Sequence, residues 1–136
     1  MKVKQALRDP RAVEGGVWVR PAPDHPEFRV RAVVRGPQFQ RKLQALEASW
    51  QREFGPGGVP AEIQQRALAD LLFEHCIMDI EGLEDCTREE AQHLCGTFEG
   101  QPLYLHFLNA VALADARRAI DAEAAAGNSG PPSKSS

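Results

Sequence analysis

Cysteine is scarce in this 136-residue chain: Cys76, Cys86 and Cys95 are an odd number with no C-x-x-C pair among them. That argues against a secreted scaffold stapled by disulfides, so reduced thiols and a cytosolic setting are expected. Long apolar runs are missing as well; nothing approaches the ~18 consecutive apolar residues of a membrane helix. Met1-Lys2-Val3-Lys4 leads into polar residues without an apolar h-region, so no targeting segment is expected. Aromatic residues make up only 7% of a chain that is 43% hydrophobic, which predicts a core built mainly from Leu, Val, Ile and Ala.

Charge is present in both signs but unevenly placed. Residues 1–58 carry 11 Lys/Arg against 6 Asp/Glu, a net +5, whereas residues 59–136 carry 5 against 13, a net −8. A bipolar chain of this kind can pair its own halves or meet partners of opposite sign at its two ends.

The hydrophobic pattern predicts an α+β fold, an N-terminal antiparallel β-ribbon followed by about four helices packed as a small bundle. Val17-Trp18-Val19 and Phe28 to Arg35 form the ribbon, over about residues 15–35. In the second run Phe28, Val30, Ala32 and Val34 share one face and Arg29, Arg31 and Arg35 the other, with Val33 the exception. Gly36-Pro37 opens a helix, about 37–54, along which Phe39, Leu43, Leu46, Trp50 and Phe54 make one apolar stripe. After Gly55-Pro56-Gly57-Gly58 a second helix, about 60–78, is expected to turn Ile63, Ala67, Leu68, Leu71, Leu72 and Cys76 to the core. An acidic turn, Asp79 to Asp85, then joins it to a short helix over about 87–95. Thr87 and Glu90 form a capping box at that helix's start, and Gly96 stops it. A last helix, about 102–124, presents Leu103, Phe107, Val111, Ala114 and Ile120. The domain is expected to occupy residues 1–126, and Gly127 to Ser136 reads as a disordered tail.

Constellations that carry chemistry are poorly represented. His75, Cys76, Cys86, His93, Cys95 and His106 fall in one segment, but the cysteines are separated by nine and eight intervening residues without local pairing, which is not zinc-site spacing. Ser49 has no nucleophile elbow around it, and no third group is evident to orient a Cys76 or Cys95 pair with His106. The glycine run at 55–58 lacks the Lys-Ser/Thr of a phosphate loop. The carboxylates Asp79, Glu81, Glu84 and Asp85 miss the calcium-loop pattern. No catalytic residue, metal site or cofactor is therefore assigned. Arg20, Arg29, Arg31 and Arg35 with Trp18 are the best case for nucleic acid, but the chain is acidic overall and has no recognisable nucleic-acid module. An arginine-studded strand face also guards against edge aggregation.

In its order of elements the chain resembles the tail assembly chaperones of tailed bacteriophages and prophages. The points of similarity are Asp9-Pro10, then Glu14-Gly15-Gly16-Val17-Trp18-Val19, a basic strand ending near Arg35, and the Phe39 to Phe54 helix. The Asp79-to-Asp85 turn leading into Thr87-x-x-Glu90-Ala91 and a closing helix completes them. Ile80 stands where tryptophan is frequent in that family, and a short polar insertion is missing. The resemblance covers about residues 5–120. It implies a non-enzymatic role in the host cytoplasm, binding the tape measure protein and helping to recruit tail tube subunits, without remaining in the mature virion. A structural head–tail connector or tail completion protein is the alternative, and a small nucleic-acid-binding regulator a third. Candidate contact residues are Trp18, Arg29, Arg31, Trp50, Phe54, Phe107 and Leu108, since aromatic anchors dominate such surfaces. Core packing is the competing role for the aromatic ones, and the favoured one for Trp50 and Phe54. Exposed ribbon edges fit a homo-oligomer, and helices covering the ribbon fit a monomer equally well.

Overall fold

Alternation in the arginine-rich run produces the strand it predicts, and that strand becomes the centre of a sheet. The computed structural model describes residues 16–129. Asp9-Pro10, Glu14 and Gly15 lie outside them. Strand β1 (Val17–Val19) pairs antiparallel with β2 (Arg29–Ala32), with Val17 opposite Ala32 and Val19 opposite Val30. Phe28, Val30, Ala32 and Val34 are buried as the alternation requires. Val33, the exception to the alternation, is buried as well; its N–H donates to the Cys76 carbonyl at 2.9 Å, just past a register shift at Arg31/Ala32 where Met78 is the extra residue of the facing strand.

Helix α1 (Pro37–Phe54) begins at the Gly36-Pro37 junction, and a 3₁₀ turn (Gly55–Gly57) follows it. Helix α2 (Ala61–His75) ends three residues before the expected position, and the next segment is strand β3 (Ile77–Glu81). This corrects the expected joint between two helices. β3 pairs antiparallel with the other side of β2, giving a three-stranded sheet in the order β1-β2-β3. A two-stranded ribbon leaves one side of β2 without hydrogen-bond partners and is marginal in water. The acidic segment supplies the third strand, setting Glu81 opposite Arg29 and Asp79 opposite Arg31. Opposite charges across a strand pair favour this register. Gly82 closes the strand at φ +90°, and a Cβ there would collide with the backbone of Glu27.

Helix α3 (Arg88–Cys95) has the Thr87 N-cap, whose side-chain oxygen accepts the Glu90 N–H at 3.2 Å. The reciprocal half of the box differs from expectation: the Glu90 carboxylate accepts the Thr87 hydroxyl at 3.1 Å rather than the Thr87 backbone N–H. Helix α4 (Gln101–Ser129) continues three residues into the expected tail, the remainder of which lies outside the described residues. At 29 residues it is about 43 Å long. That length far exceeds a sheet whose longest strand has five residues, so its distal half overhangs the core.

The resulting α+β fold packs the four helices with the sheet around Phe28, Val30, Leu72, Phe73, Cys76, Ile77, Cys95 and Phe107. Phe107 is sealed between Phe28 (centroids 5.7 Å apart) and Phe73 (4.8 Å), both edge-on. Among the described residues no helix is long and apolar enough to cross a membrane.

Candidate functional site

Two expected core residues remain in solvent, and each marks a groove. Ile63, on the first turn of α2, is 46% exposed, and Ile120, on the overhanging part of α4, is 64% exposed. Both fall on helical stripes, but each lies beyond the point where another element covers its helix.

The first groove has a volume of about 1000 Å³ and runs between the start of α2 and the loop joining α3 to α4. Ile63, Ala67 and Phe98 form its apolar part, with Glu62, Asp70 and Glu99 outnumbering Arg66 on its walls. Phe98 is 85% exposed on a loop that is itself firmly held. The Gly96 and Thr97 N–H groups donate to the carbonyls of His93 and Leu94, and the Thr97 hydroxyl donates to Leu94 at 2.6 Å. That hydroxyl oxygen accepts the Gly100 N–H, and the Gln65 amide donates to the Cys95 carbonyl at 2.8 Å. Gly100 admits no side chain, since a Cβ would meet the Leu94 carbonyl. A rigid loop thus presents a large apolar ring to water.

The second groove, about 450 Å³, lies between β1 and the stripe Leu113, Ala116, Arg117 and Ile120 of α4. Trp18 and Val19 line its sheet side, and Arg20 and Arg29 join Arg117 in making it basic. The Arg29 guanidinium sits 5.0 Å from the centre of the Trp18 ring and pairs with the Glu81 carboxylate. Arg20 donates from Nε to the Pro26 carbonyl at 3.1 Å, fixing the link between β1 and β2.

The contact candidates divide among these places. Trp18 and Arg29 meet in the basic groove, and Arg31 lies half-buried beside them on the outer sheet face, opposite Trp18. Trp50 and Phe54 are half-buried on the far half of α1, outside the core cluster. Phe107 is wholly buried and offers no surface, while Leu108 is partly buried against the core. Phe98, Ile63, Leu113 and Ile120 were not among the candidates. Phe98 was legible as an apolar side chain in the non-helical stretch between two helices, whereas the exposure of the other three required knowing where each helix loses cover.

The groups considered for chemistry are dispersed. Burial pushes the Cys76 thiol up to about 11 and the Cys95 thiol to about 12, so neither supplies thiolate near neutral pH. The partly exposed Cys86 is also shifted upward, by desolvation and then by Glu90 and Asp85, and its Sγ donates to the Thr87 carbonyl at 3.4 Å. His75 packs edge-on against Phe39, and His106 against Phe28. Among the described residues no group of three or more His, Cys, Asp or Glu side chains could hold a metal ion.

No protein-family model, curated protein or solved structure matches this chain.

Proposed function

We propose that this chain is a non-enzymatic tail assembly chaperone of tailed bacteriophages. In this reading it binds the tape measure protein in the host cytoplasm, keeps it soluble, helps recruit tail tube subunits around it, and is absent from the finished particle. The observation that carries the reading is the acidic groove, where Phe98 stands 85% exposed on a hydrogen-bonded loop. Burying a phenylalanine contributes about 1.5–3 kcal/mol. A fold that leaves this gain unrealised, with Ile63 and Ala67 lining the same groove, supports capture of an apolar client segment. Burial keeps the Cys76 and Cys95 thiols protonated, which speaks against either of them as a nucleophile.

Co-expression with the tape measure protein of the same phage tests the proposal. The wild-type chain is expected to hold that protein in the soluble fraction, and the double variant Ile63→Ser, Phe98→Ser to lose the effect while keeping its own fold, since both side chains are already exposed. A client that stays insoluble with the wild-type chain would overturn the reading. Recovery of the chain from purified particles would replace it with a structural tail component.

A further inference from the structure

The two edges of the sheet are finished differently, and the difference identifies a second docking site that does not rest on the tape measure reading. Residues along a strand in an antiparallel ladder direct their N–H and C=O groups alternately to the two sides. On β3 the Ile80 N–H donates to the Asp79 carboxylate at 2.9 Å, so Ile80 faces away from β2. The Ile77 carbonyl, also on the outer side, accepts Arg88 Nη2 at 2.6 Å. Side chains therefore close the β3 edge. The same alternation makes Asp79 and Glu81 the partners of Arg31 and Arg29, leaving Val30 and Ala32 to bond with Val19 and Val17. Trp18 then directs its backbone N–H and C=O outward from β1, and among the described residues nothing pairs with them.

This open edge forms one side of the basic groove, opposite Leu113, Ala116 and Ile120. Glu81 already offsets Arg29, but among the described residues no carboxylate pairs with Arg20 or Arg117. We propose that the groove takes an extended, acidic segment of a partner protein, added as a fourth strand to β1. The partner's backbone bonds with Trp18, alternate apolar side chains rest on Leu113 and Ile120, and the carboxylates between them, on the opposite face of the added strand, meet Arg20, while Arg117 adds positive charge to the groove. A second copy docking through the same patch is disfavoured, because it would set arginine against arginine. Main-chain pairing supplies affinity in such an addition and the alternating side chains supply selectivity.

The test uses a fluorescein-labelled heptapeptide of alternating valine and glutamate, followed by anisotropy with the full chain. Its lysine counterpart and a version N-methylated on the backbone face that meets β1 are the controls. Saturable binding is expected for the glutamate peptide alone. Arg117→Glu and Ile120→Asp, both at exposed positions, should each weaken it by about tenfold or more. Equal binding of the lysine or N-methylated peptide would overturn the proposal, as would unchanged affinity in both variants or no saturation up to about 1 mM. A short single-stranded DNA that displaces the peptide and binds more tightly would also overturn it, marking the groove as a nucleic-acid site.

Discussion

Replacing Arg88 with methionine tests whether one side chain fastens the corner where α2 becomes β3. Arg88 Nη2 donates to the Phe73 carbonyl at 3.0 Å and to the Ile77 carbonyl at 2.6 Å, while its guanidinium lies 5.4 Å from the centre of the Phe73 ring. One acceptor is an end carbonyl of α2, which has no partner within the helix, and the other is the outer edge of β3. Hydrogen bonds to a charged donor contribute about 1.5–3 kcal/mol each, for a gross loss of about 3–6 kcal/mol. Against that stands the cost of a half-buried guanidinium whose Nη1 is buried without a partner, which methionine removes while keeping an apolar stem over Phe73. A net destabilisation of about 2–3 kcal/mol is expected, which for a chain of 136 residues lowers Tm by about 7–10 °C. Urea unfolding should show a lower midpoint with the slope unchanged. Arg88→Lys, a point charge able to reach one carbonyl well, should fall between the two. A methionine variant as stable as the wild type, or more so, would refute the reasoning, because desolvation of the guanidinium would then outweigh both hydrogen bonds.

Gly82→Ala and Gly100→Ala should each destabilise by several kcal/mol, whereas Gly57→Ala, with open space at its Cβ, should stay within about 1 kcal/mol of wild type; thermal unfolding compares them. Stability should fall above pH 9, because the unfolded chain releases the Cys76 and Cys95 protons near there while the folded thiols hold them to about 11 and 12. Each contributes a slope of about −1.4 kcal/mol per pH unit up to its folded value, and a Cys76→Ala, Cys95→Ala variant should lose that part of the slope in urea titrations at stepped pH.

The basic strand and the acidic segment show what a linear reading can and cannot reach. Alternation at Phe28–Val34 identified β2, and the apolar stripe after Gly36-Pro37 identified α1. Thr87 with Glu90 identified the start of α3. Pairing β2 with Ile77–Glu81 was not reached, because Leu72, Cys76 and Ile80 continue a helical four-residue spacing through the strand. The net +5 and −8 halves carried the missing signal: the arginines of one strand and the carboxylates of the other are cross-strand partners, 52 residues apart at Arg29 and Glu81. In the candidate site, Trp18 and Arg29 came together as part of one arginine-and-aromatic group. Ile63 was missed because burial was inferred from helical stripe alone, whereas Phe98 was legible from its place between two helices but was not weighed.

Local order was fixed by the sequence itself, since caps, turns and periodicity act between residues a few positions apart. It therefore determined the α+β class, the positions of the helices and the inward face of the central strand. Only the tertiary structure decided that the acidic segment would complete the sheet and that one edge would be closed and the other left open. It also decided which apolar side chains would lie past the end of their cover, as Phe98, Ile63 and Ile120 do. The reason is that burial and edge pairing belong to neighbours in space, and a residue's place on its own helix does not say whether another element extends far enough to meet it.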